Sequence, residues 1–350
     1  MKQATFLFFI LLFVISLPFS AQTPQSQVPL ADPYILLDGD TYYAYGTHAA
    51  DGIECWRSKD LQYWNYVGLA LEKKNTTEQQ WFWAPEVYYK NGKYYMYYSA
   101  NEHLFVATAN SPRGPFKQVG SYMMEPLIGD EKCIDSSVYF DEDGTPYCFF
   151  VRFTDGNCIW QCQLQDDYIT PVEGTLKKCI NVTESWESKL GRVCEGPFVL
   201  RNKRVFFLTY SANDYRSQDY GVGYARGTKP NSTWTKNPKP ILQRAQGLVG
   251  TGHHSFFTDK EGRLRIVFHA HNSTEEVQPR LMYIGSAEIS SSTLRITDDP
   301  FIAPQKVGTG VGAPAATPKL PPLTYDLLGR PTAFGPIGLF VAQGRKILRN

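Results

Sequence analysis

The chain has 350 residues, of which 43% are hydrophobic and 14% aromatic, with 22 Tyr and 21 Phe. That content is sufficient for a buried core, and the aromatic side chains favour pleated strands and offer flat apolar faces for stacking on sugars. Lys plus Arg number 35 against 34 Asp plus Glu, so no long-range field draws the chain toward nucleic acid or an anionic membrane. A neutral ligand is the simpler expectation.

Residues 1–21 have the pattern of a secretory signal peptide. Lys2 is followed by an apolar stretch over residues 6–17 and then by Pro and small residues over residues 18–21. The apolar stretch is too short for a permanent membrane span, and no later run is long enough to cross a bilayer. We therefore predict a secreted or cell-surface protein, with the periplasm as an alternative, and a mature chain that begins near Gln22.

Five segments of the remaining chain repeat one pattern: a polar residue, an apolar run, a turn of Asp, Asn and Gly, and a second run dense in Tyr and Phe. A repeat of about 50 residues that contains strand pairs is typical of propeller blades and not of helical solenoids. The pattern predicts an all-β fold, a five-bladed β-propeller over residues 22–305. The copies begin near Asp32, Glu86, Asp135, Glu195 and His253.

Seven cysteines lie within the predicted propeller. In an exported protein they permit disulfides, but an odd number leaves at least one thiol unpaired. One or two bridges and a set of buried, unbonded cysteines are both open interpretations. Cys158 and Cys162 have no partner pair at zinc-ligand spacing, so we expect no zinc site.

The end of the chain differs in composition from the propeller. Residues 306–323 are rich in Gly, Pro and Ala and are predicted to be a linker. Residues 324–350 are predicted to form a strand-turn-strand module too small to bury a core alone. Their YDLLGR and GLFVAQGRK motifs resemble the end of the C-terminal sorting signal of type IX secretion systems. The alternative is a frayed extension docked on the propeller.

Four of the five repeats begin with a carboxylate, Asp32, Glu86, Asp135 or Glu195, and the innermost strands of a propeller start beside its central channel. Converging carboxylates are costly to bury unless they serve a reaction. Hydrolysis of a glycosidic bond needs one carboxylic acid to protonate the leaving oxygen and one carboxylate to activate water or attack the sugar. A third carboxylate raises the pKa of the acid by like-charge repulsion. Asp32, Asp135 and Glu195 form such a trio, but the repeat alone does not decide which three of the four act.

Five short motifs stand at the starts of the repeats: ADP from residue 31, WAPE from residue 83, IDS from residue 134, EGP from residue 195 and GHHS from residue 252. Together they closely resemble glycoside hydrolase family 43 over about residues 28–300. The resemblance implies a five-bladed propeller of inverting enzymes that act mostly on arabinofuranosides and xylosides. It assigns Asp32 as general base, Asp135 as the residue that orients the acid and raises its pKa, and Glu195 as general acid. It places Glu86 outside the catalytic three.

The resemblance also implies a role for His253, the histidine of the family's Gly-His motif at the bottom of the sugar pocket. In several members this histidine helps to hold a central calcium ion through waters, so calcium is a possible cofactor, although the reaction requires none. Calcium prefers oxygen ligands, and one imidazole does not establish the metal. Contact with the sugar and a hydrogen-bonded channel histidine are the alternatives.

Two further residues are candidate substrate contacts. Trp83 is expected to place a ring beside the sugar, with packing inside the blade as the alternative. Arg280 is expected to hydrogen-bond substrate hydroxyls, with a solvated loop charge as the alternative. His269 and His271 share one strand face by their spacing of two, and we expect a polar strand edge there and not a metal pair.

These observations predict a secreted, monomeric, inverting glycosidase that removes α-L-arabinofuranosyl or β-D-xylosyl units from plant cell-wall polysaccharides or their fragments, with exo action favoured. An endo-arabinanase and a galactosidase of the same family are the alternatives. A retaining fructan hydrolase is disfavoured because ADPY from residue 31 and CEG from residue 194 depart from its motifs. A non-catalytic carbohydrate-binding propeller is expected to lack one of the three carboxylates, and all three are present.

Overall fold

A computed structural model of the protein describes residues 27–307 and four short strands between residues 324 and 349. The chain divides into two units, one ending at Val307 and the other beginning at Gly308. The described part of the first unit is a β-propeller of five blades, each an antiparallel sheet of four strands. The predicted all-β, five-bladed fold is confirmed.

The blades follow one another along the chain, and each begins with its innermost strand. Blade 1 contains β1 (Ala31–Asp38), β2 (Thr41–Thr47), β3 (Gly52–Ser58) and β4 (Tyr63–Glu72). Blade 2 contains β5 (Trp83–Lys90), β6 (Lys93–Ala100), β7 (His103–Ala109) and β8 (Lys117–Val119). Blade 3 contains β9 (Cys133–Phe140), β10 (Pro146–Arg152), β11 (Cys158–Gln163) and β12 (Lys177–Ile180). Blade 4 contains β13 (Cys194–Asn202), β14 (Val205–Ala212), β15 (Gly221–Gly227) and β16 (Thr235–Lys236). Blade 5 contains β17 (Gly252–Thr258), β18 (Leu264–Ala270), β19 (Leu281–Ile289) and β20 (Leu294–Ile296).

The ring is closed by the segment that follows blade 5. Ile302 forms an antiparallel bridge with Ile284 in β19. A few residues later, β21 (Gln305–Lys306) pairs in parallel with the outer strand β4 of blade 1. The same segment therefore joins the last blade to the first.

Helical structure is sparse in the described residues. It consists of α1 (Glu125–Ile128) and two 3-10 turns, at Lys73–Asn75 and Ser185–Ser188. Among the described residues, no helix is long and apolar enough to cross a membrane.

Five hydrophobic clusters fill the interfaces between neighbouring blades. Successive side chains of a strand point to opposite faces, so one strand contributes to two interfaces. In β6, Tyr94, Met96 and Tyr98 pack in the cluster shared with blade 1, and Tyr95 and Tyr97 pack in the cluster shared with blade 3. The aromatic richness of the repeats thus supplies the packing between the blades.

The predicted hairpin turns are present between the first two strands of the blades. In blade 2, Asn91 and Gly92 join β5 to β6 with φ values of 48° and 81°. Both angles are positive, as the tight turns that suit twisted hairpins require, and Asn and Gly tolerate them best.

All seven cysteines lie in the described part of the propeller. All seven cysteines are free, and six of them are buried.

The second unit contains β22 (Thr324–Tyr325), β23 (Pro331–Thr332), β24 (Gly338–Ala342) and β25 (Arg345–Arg349), in the sheet order β23-β22-β24-β25. The predicted signal peptide, residues 1–21, lies outside the described residues, as does most of the predicted linker.

Candidate active site

A β-bulge recurs near the start of every innermost strand. The ladder between the first two strands shifts register there in all five blades. The residue at the bulge has a left-handed backbone, with φ of 48° at Asp32, 44° at Ala84, 58° at Asp135, 53° at Gly196 and 43° at His253. Bulges re-aim side chains and are common beside active sites. Here the five bulge residues line one small cavity of about 10 Å³ in the centre of the propeller.

The bulges correct part of the sequence interpretation, which aligns the repeats by their carboxylates. Asp32, Asp135 and His253 occupy the bulge position of their blades. Glu195 instead precedes the bulge residue of its blade, and Glu86 lies two residues after its own. The alignment by carboxylates was wrong for these two residues because the repeating feature is the backbone conformation and not the charge.

A hydrogen bond to the preceding blade holds four of the five bulges. In each case the N–H of the bulge residue donates to a side chain near the end of the neighbouring second strand. The pairs are Ala84 with Thr47 Oγ1 at 3.0 Å, Asp135 with Ser99 Oγ at 3.0 Å, His253 with Ser211 Oγ at 2.7 Å and Asp32 with His269 Nδ1 at 3.2 Å. We call these bonds the blade clips.

Blade 3 provides no blade clip to the bulge of blade 4, and a residue of the site takes its place. Its residue at the clip position is Val151, which pairs with Ile134 as the other clip residues pair in their blades. Valine offers no acceptor. The N–H of Gly196 donates instead to Asp135 Oδ2 at 3.2 Å. A side chain at residue 196 would also meet the His253 ring, since an added Cβ would lie 3.2 Å from it.

Asp32 lies beside one cation, Arg280, and two imidazoles. Arg280 Nη1 donates to Asp32 Oδ1 at 2.8 Å, and the Nδ1 atoms of His253 and His269 lie 3.3 Å and 3.4 Å from the same oxygen. Burial alone raises the pKa of a carboxyl group, but here the Arg280 charge and the two histidines outweigh it and hold the pKa of Asp32 well below its ordinary value. Asp32 is therefore ionised at neutral pH.

Glu195 is partly buried and accepts hydrogen bonds only from neutral partners. Tyr220 donates its hydroxyl to Oε1 at 2.8 Å, and Asn157 donates its amide to Oε2 at 3.0 Å. Burial and the negative charge of Asp32 raise the pKa of Glu195 to about 7, against the opposing effect of the two hydrogen bonds. Glu195 therefore keeps a proton available near neutral pH.

Asp135 interacts electrostatically with both of these carboxyl groups. Burial, followed by the charges of Glu195 and Asp32, raises the pKa of Asp135 well above its ordinary value. The His253 Nδ1 atom is 4.0 Å from Asp135 Oδ2. Since Asp135 and Glu195 repel one another when both are ionised, they titrate as a pair, and the pair retains a proton that neither isolated carboxyl group would keep.

A cavity of about 410 Å³ collects the residues that the sequence singled out. It has the size of a small-ligand pocket. All six predicted site residues line it, namely Asp32, Trp83, Asp135, Glu195, His253 and Arg280.

Arg280 is not the solvated loop charge considered as an alternative. Its side chain is 11% exposed, it pairs with Asp32, and its guanidinium lies 4.7 Å from the centre of the Tyr215 ring. The Nε atom is buried and has no hydrogen-bond partner among the described residues. An unpartnered buried donor at a cavity wall is suited to a ligand hydroxyl.

Comparison with known proteins assigns this site to a family. The model of Glycosyl hydrolases family 43 matches residues 21–287. The chain belongs to this family. It is therefore a glycosidase, and the resemblance inferred from the five motifs is confirmed.

Individual relatives differ in substrate. A solved structure of an endo-1,4-beta-xylanase from Bacteroides thetaiotaomicron VPI-5482 is 43% identical, has a TM-score of 0.78 and covers 82% of this chain and 100% of its own. Beta-D-galactofuranosidase xynD of Aspergillus niger is 26% identical and covers 68% of this chain and 73% of its own. Extracellular endo-alpha-(1->5)-L-arabinanase 2 of Bacillus subtilis is 24% identical and covers 69% of this chain and 65% of its own.

Sequence reasoning missed several residues that support this family 43 site. His269 is fully buried, accepts the Asp32 N–H, and stacks on Tyr220, the hydroxyl donor to Glu195, with ring centroids 5.6 Å apart. His271 Nε2 donates to the Tyr215 carbonyl at 2.8 Å and fixes another cavity residue. The predicted polar strand edge was wrong for both histidines because each is buried. The sequence signal that could have identified His269 was the polar residue that recurs near the end of the second strand of the blades.

The calcium ion considered at His253, held through waters, has no direct ligand set among the described residues. The ring faces Asp32 and Asp135 through Nδ1, and the central cavity beside it has room for about one water molecule. Calcium takes about six to eight oxygen ligands. Among the described residues, no group of three or more His, Cys, Asp or Glu side chains is arranged to hold a metal ion. We therefore derive no step through calcium.

Proposed function

We propose that this family 43 glycosidase is an inverting, exo-acting enzyme that removes α-L-arabinofuranosyl or β-D-xylosyl units from plant cell-wall polysaccharides or their fragments. The observation that carries the proposal is the opposite protonation of two carboxyl groups that line one cavity, with Asp32 ionised and Glu195 keeping a proton available near pH 7. Pairs of carboxyl groups whose environments separate their pKa values mark acid and base assignments. Relatives named as arabinanases, arabinofuranosidases and a xylanase support the substrate class.

In the proposed reaction, Glu195 gives its proton to the glycosidic oxygen as the bond from that oxygen to the anomeric carbon breaks. Asp32 accepts a proton from a water molecule whose oxygen attacks the anomeric carbon from the opposite face. The products are a sugar of inverted configuration and the shortened chain. Glu195 is left ionised and Asp32 protonated, and proton exchange with solvent restores both groups.

Four other residues have supporting roles in this proposal. Asp135 raises the pKa of Glu195 by its charge and receives the Gly196 N–H, which fixes its position. Arg280 holds Asp32 ionised and directs its unpartnered Nε–H to a sugar hydroxyl. His253 contacts the sugar at the cavity floor. Trp83 forms an apolar wall for a sugar ring.

Export is part of the same proposal. Relatives named as extracellular enzymes accord with a signal peptide at residues 1–21 and with a sorting role for residues 324–350. We propose that the protein acts as a monomer outside the cytoplasm. Mass spectrometry of the protein isolated from the culture medium tests this, since both segments are expected to be missing. Recovery of the full-length chain from the cytoplasm alone would overturn it.

The activity is tested with aryl α-L-arabinofuranoside, β-D-xyloside and β-D-galactofuranoside, together with linear arabinan and xylan. We expect cleavage of an arabinofuranoside or xyloside, with single sugars released from the polymer. Proton NMR of the first product is expected to show the anomer opposite to that of the substrate. Retained configuration would contradict the inverting mechanism, and cleavage of the galactofuranoside alone would move the substrate class to that of the Aspergillus niger relative.

A further inference from the structure

A second cavity adjoins the catalytic one on the side of blades 1 and 2. It has a volume of about 430 Å³, and neither the carboxylate trio nor Arg280 lines it. The two cavities share the wall residues Thr47, His48 and Trp83. The two cavities are therefore neighbours, within reach of one oligosaccharide chain.

Trp81 gives the second cavity an exposed aromatic surface. Its side chain is 45% exposed, and its ring stacks on that of Trp83 with centroids 5.8 Å apart and planes inclined by 13°. The residue has φ of 61°, a conformation that a bulky side chain rarely adopts. Strained residues of this kind cluster at functional sites because packing alone does not require them.

The neighbours of Trp81 hold the ring in this position. Phe82 is buried and stacks on Tyr98, with ring centroids 6.4 Å apart. Gln80 donates its side-chain amide to Asn101 Oδ1 at 3.0 Å and accepts the Asn101 N–H at its carbonyl at 3.1 Å. The exposed Trp81 and the half-buried Trp83 thus flank a buried anchor, Phe82, and Gln80, which precedes Trp81, is fixed at both its side chain and its backbone.

Polar side chains complete the cavity wall. His48 Nδ1 bonds to Glu54 Oε1 at 2.8 Å, and the buried Glu54 also accepts the Trp56 indole N–H at 3.0 Å. This bond orients the imidazole of His48, which lines both cavities. Asp51 and Lys73 form an ion pair on the same wall. Aromatic plates flanked by fixed polar groups suit a sugar, which has apolar ring faces and hydroxyl edges.

We propose that the second cavity is a further sugar subsite, in which Trp81 stacks on a residue of the polysaccharide chain adjoining the one in the catalytic cavity. The ligand is thus an oligosaccharide longer than the cleaved unit and its immediate neighbour. His48 donates or accepts a hydrogen bond to that chain. The proposal rests on the proposed function, because the same chain must enter the catalytic cavity.

The test uses arabino- and xylo-oligosaccharides of two to five residues. We expect Trp81→Ala to lower kcat/KM for the pentasaccharide by about tenfold and for the disaccharide by much less, because one ring stack is lost only for the longer chain. Trp81→Phe keeps a ring and is expected to retain most of the preference for long chains. Tyr89→Ala is the matched control, since Tyr89 is a 54% exposed aromatic residue of the same blade and lines neither cavity.

Binding is measured in parallel by calorimetric titration of the same pentasaccharides into Glu195→Gln protein and into that protein carrying Trp81→Ala. Weaker binding with Trp81→Ala supports the subsite. An equal loss for every chain length, or a lowered melting temperature that accounts for the loss, would overturn it. If the wild type binds the pentasaccharides through Trp81 but cleaves none of them, the proposed function fails and the subsite stands.

Discussion

Asp32 and Glu195 are a natural pair for comparison, because both are carboxyl groups at the start of an innermost strand and both line one cavity. Their partners differ in charge. Asp32 faces an arginine and two imidazoles, whereas Glu195 accepts hydrogen bonds from a phenol and an amide. Burial raises the pKa of both groups, but only a cation reverses the effect. The two roles of acid and base therefore arise from the partners and not from burial.

His269 connects the two environments. Its Nδ1 accepts the Asp32 N–H, and its ring stacks on Tyr220, the hydroxyl donor to Glu195. Burial and the nearby Arg280 charge lower the pKa of His269 to about 3, so the ring is neutral. A neutral ring can accept the Asp32 N–H without adding a second full positive charge beside Arg280. The difference in pKa between Asp32 and Glu195 thus depends on one cation, Arg280. Each partner of the two carboxyl groups can be tested by its own substitution.

The largest expected effect comes from removing the two carboxyl groups themselves. Asp32→Asn is expected to lose about 10²–10⁴-fold in kcat/KM on every substrate, because water must be activated in each case. Glu195→Gln is expected to lose as much on polysaccharide but much less on an aryl glycoside whose phenolate leaves without protonation. Steady-state kinetics of both variants on both substrates checks this. Rescue of Asp32→Asn by the aryl glycoside, with none for Glu195→Gln, would reverse the assignment.

Removing the cation beside Asp32 is expected to have the next largest effect. In Arg280→Gln the pKa of Asp32 rises, so the base becomes protonated at a higher pH and the acid limb of kcat/KM moves upward. A pKa rise of one unit corresponds to about tenfold less ionised base on that limb. The pH profile of the variant measures the shift, and Arg295→Gln, at an exposed arginine paired with Glu288, is the control. An unmoved acid limb with a uniform loss of activity would limit Arg280 to sugar contact.

Much of the fold was predictable because the repeat is a local signal. Alternating apolar residues and turns built from Asp, Asn and Gly recur along the blades, and they indicated the five hairpins from sequence alone. Asp32, Asp135 and Glu195, which the repeat and the family motifs singled out, do line one cavity, and their catalytic roles stay a prediction. Their proximity follows from the propeller, which brings the starts of all innermost strands to one channel.

The supporting residues were not predictable in the same way. His269 lies 237 residues from Asp32, and Tyr220 lies 25 residues from Glu195, directly before β15 of the same blade. Nothing in the local sequence of these residues marks them as partners of a carboxylate. The displaced positions of Glu195 and Glu86 were missed because a left-handed bulge falls on Ala84 and Gly196 as well as on Asp32 and Asp135, and residue type does not reveal it.

Removal of the third carboxylate is expected to act on the acid alone. In Asp135→Asn the loss of a nearby negative charge lowers the pKa of Glu195, so the acid loses its proton at lower pH and the alkaline limb moves downward. Activity at pH 8 is expected to fall by about tenfold or more relative to pH 5. The pH profile on polysaccharide measures this, with the acid limb of the same variant as the internal control. An upward shift of the alkaline limb would show that Asp135 does not raise the pKa of Glu195.

The smallest expected effect comes from a neutral partner of Glu195, and its sign is opposite. The Tyr220 hydroxyl stabilises ionised Glu195, so Tyr220→Phe raises the pKa of that carboxyl group and moves the alkaline limb upward. Loss of a positioning hydrogen bond is expected to cost about severalfold in kcat/KM near pH 6. Tyr224→Phe, a buried tyrosine that does not line the catalytic cavity, is the control. Asp135→Asn and Tyr220→Phe are expected to shift the pKa of Glu195 in opposite directions. The double variant is therefore expected to return the alkaline limb of the pH profile toward that of the wild type. A further downward shift in the double variant would mean that Tyr220 stabilises the protonated form of Glu195.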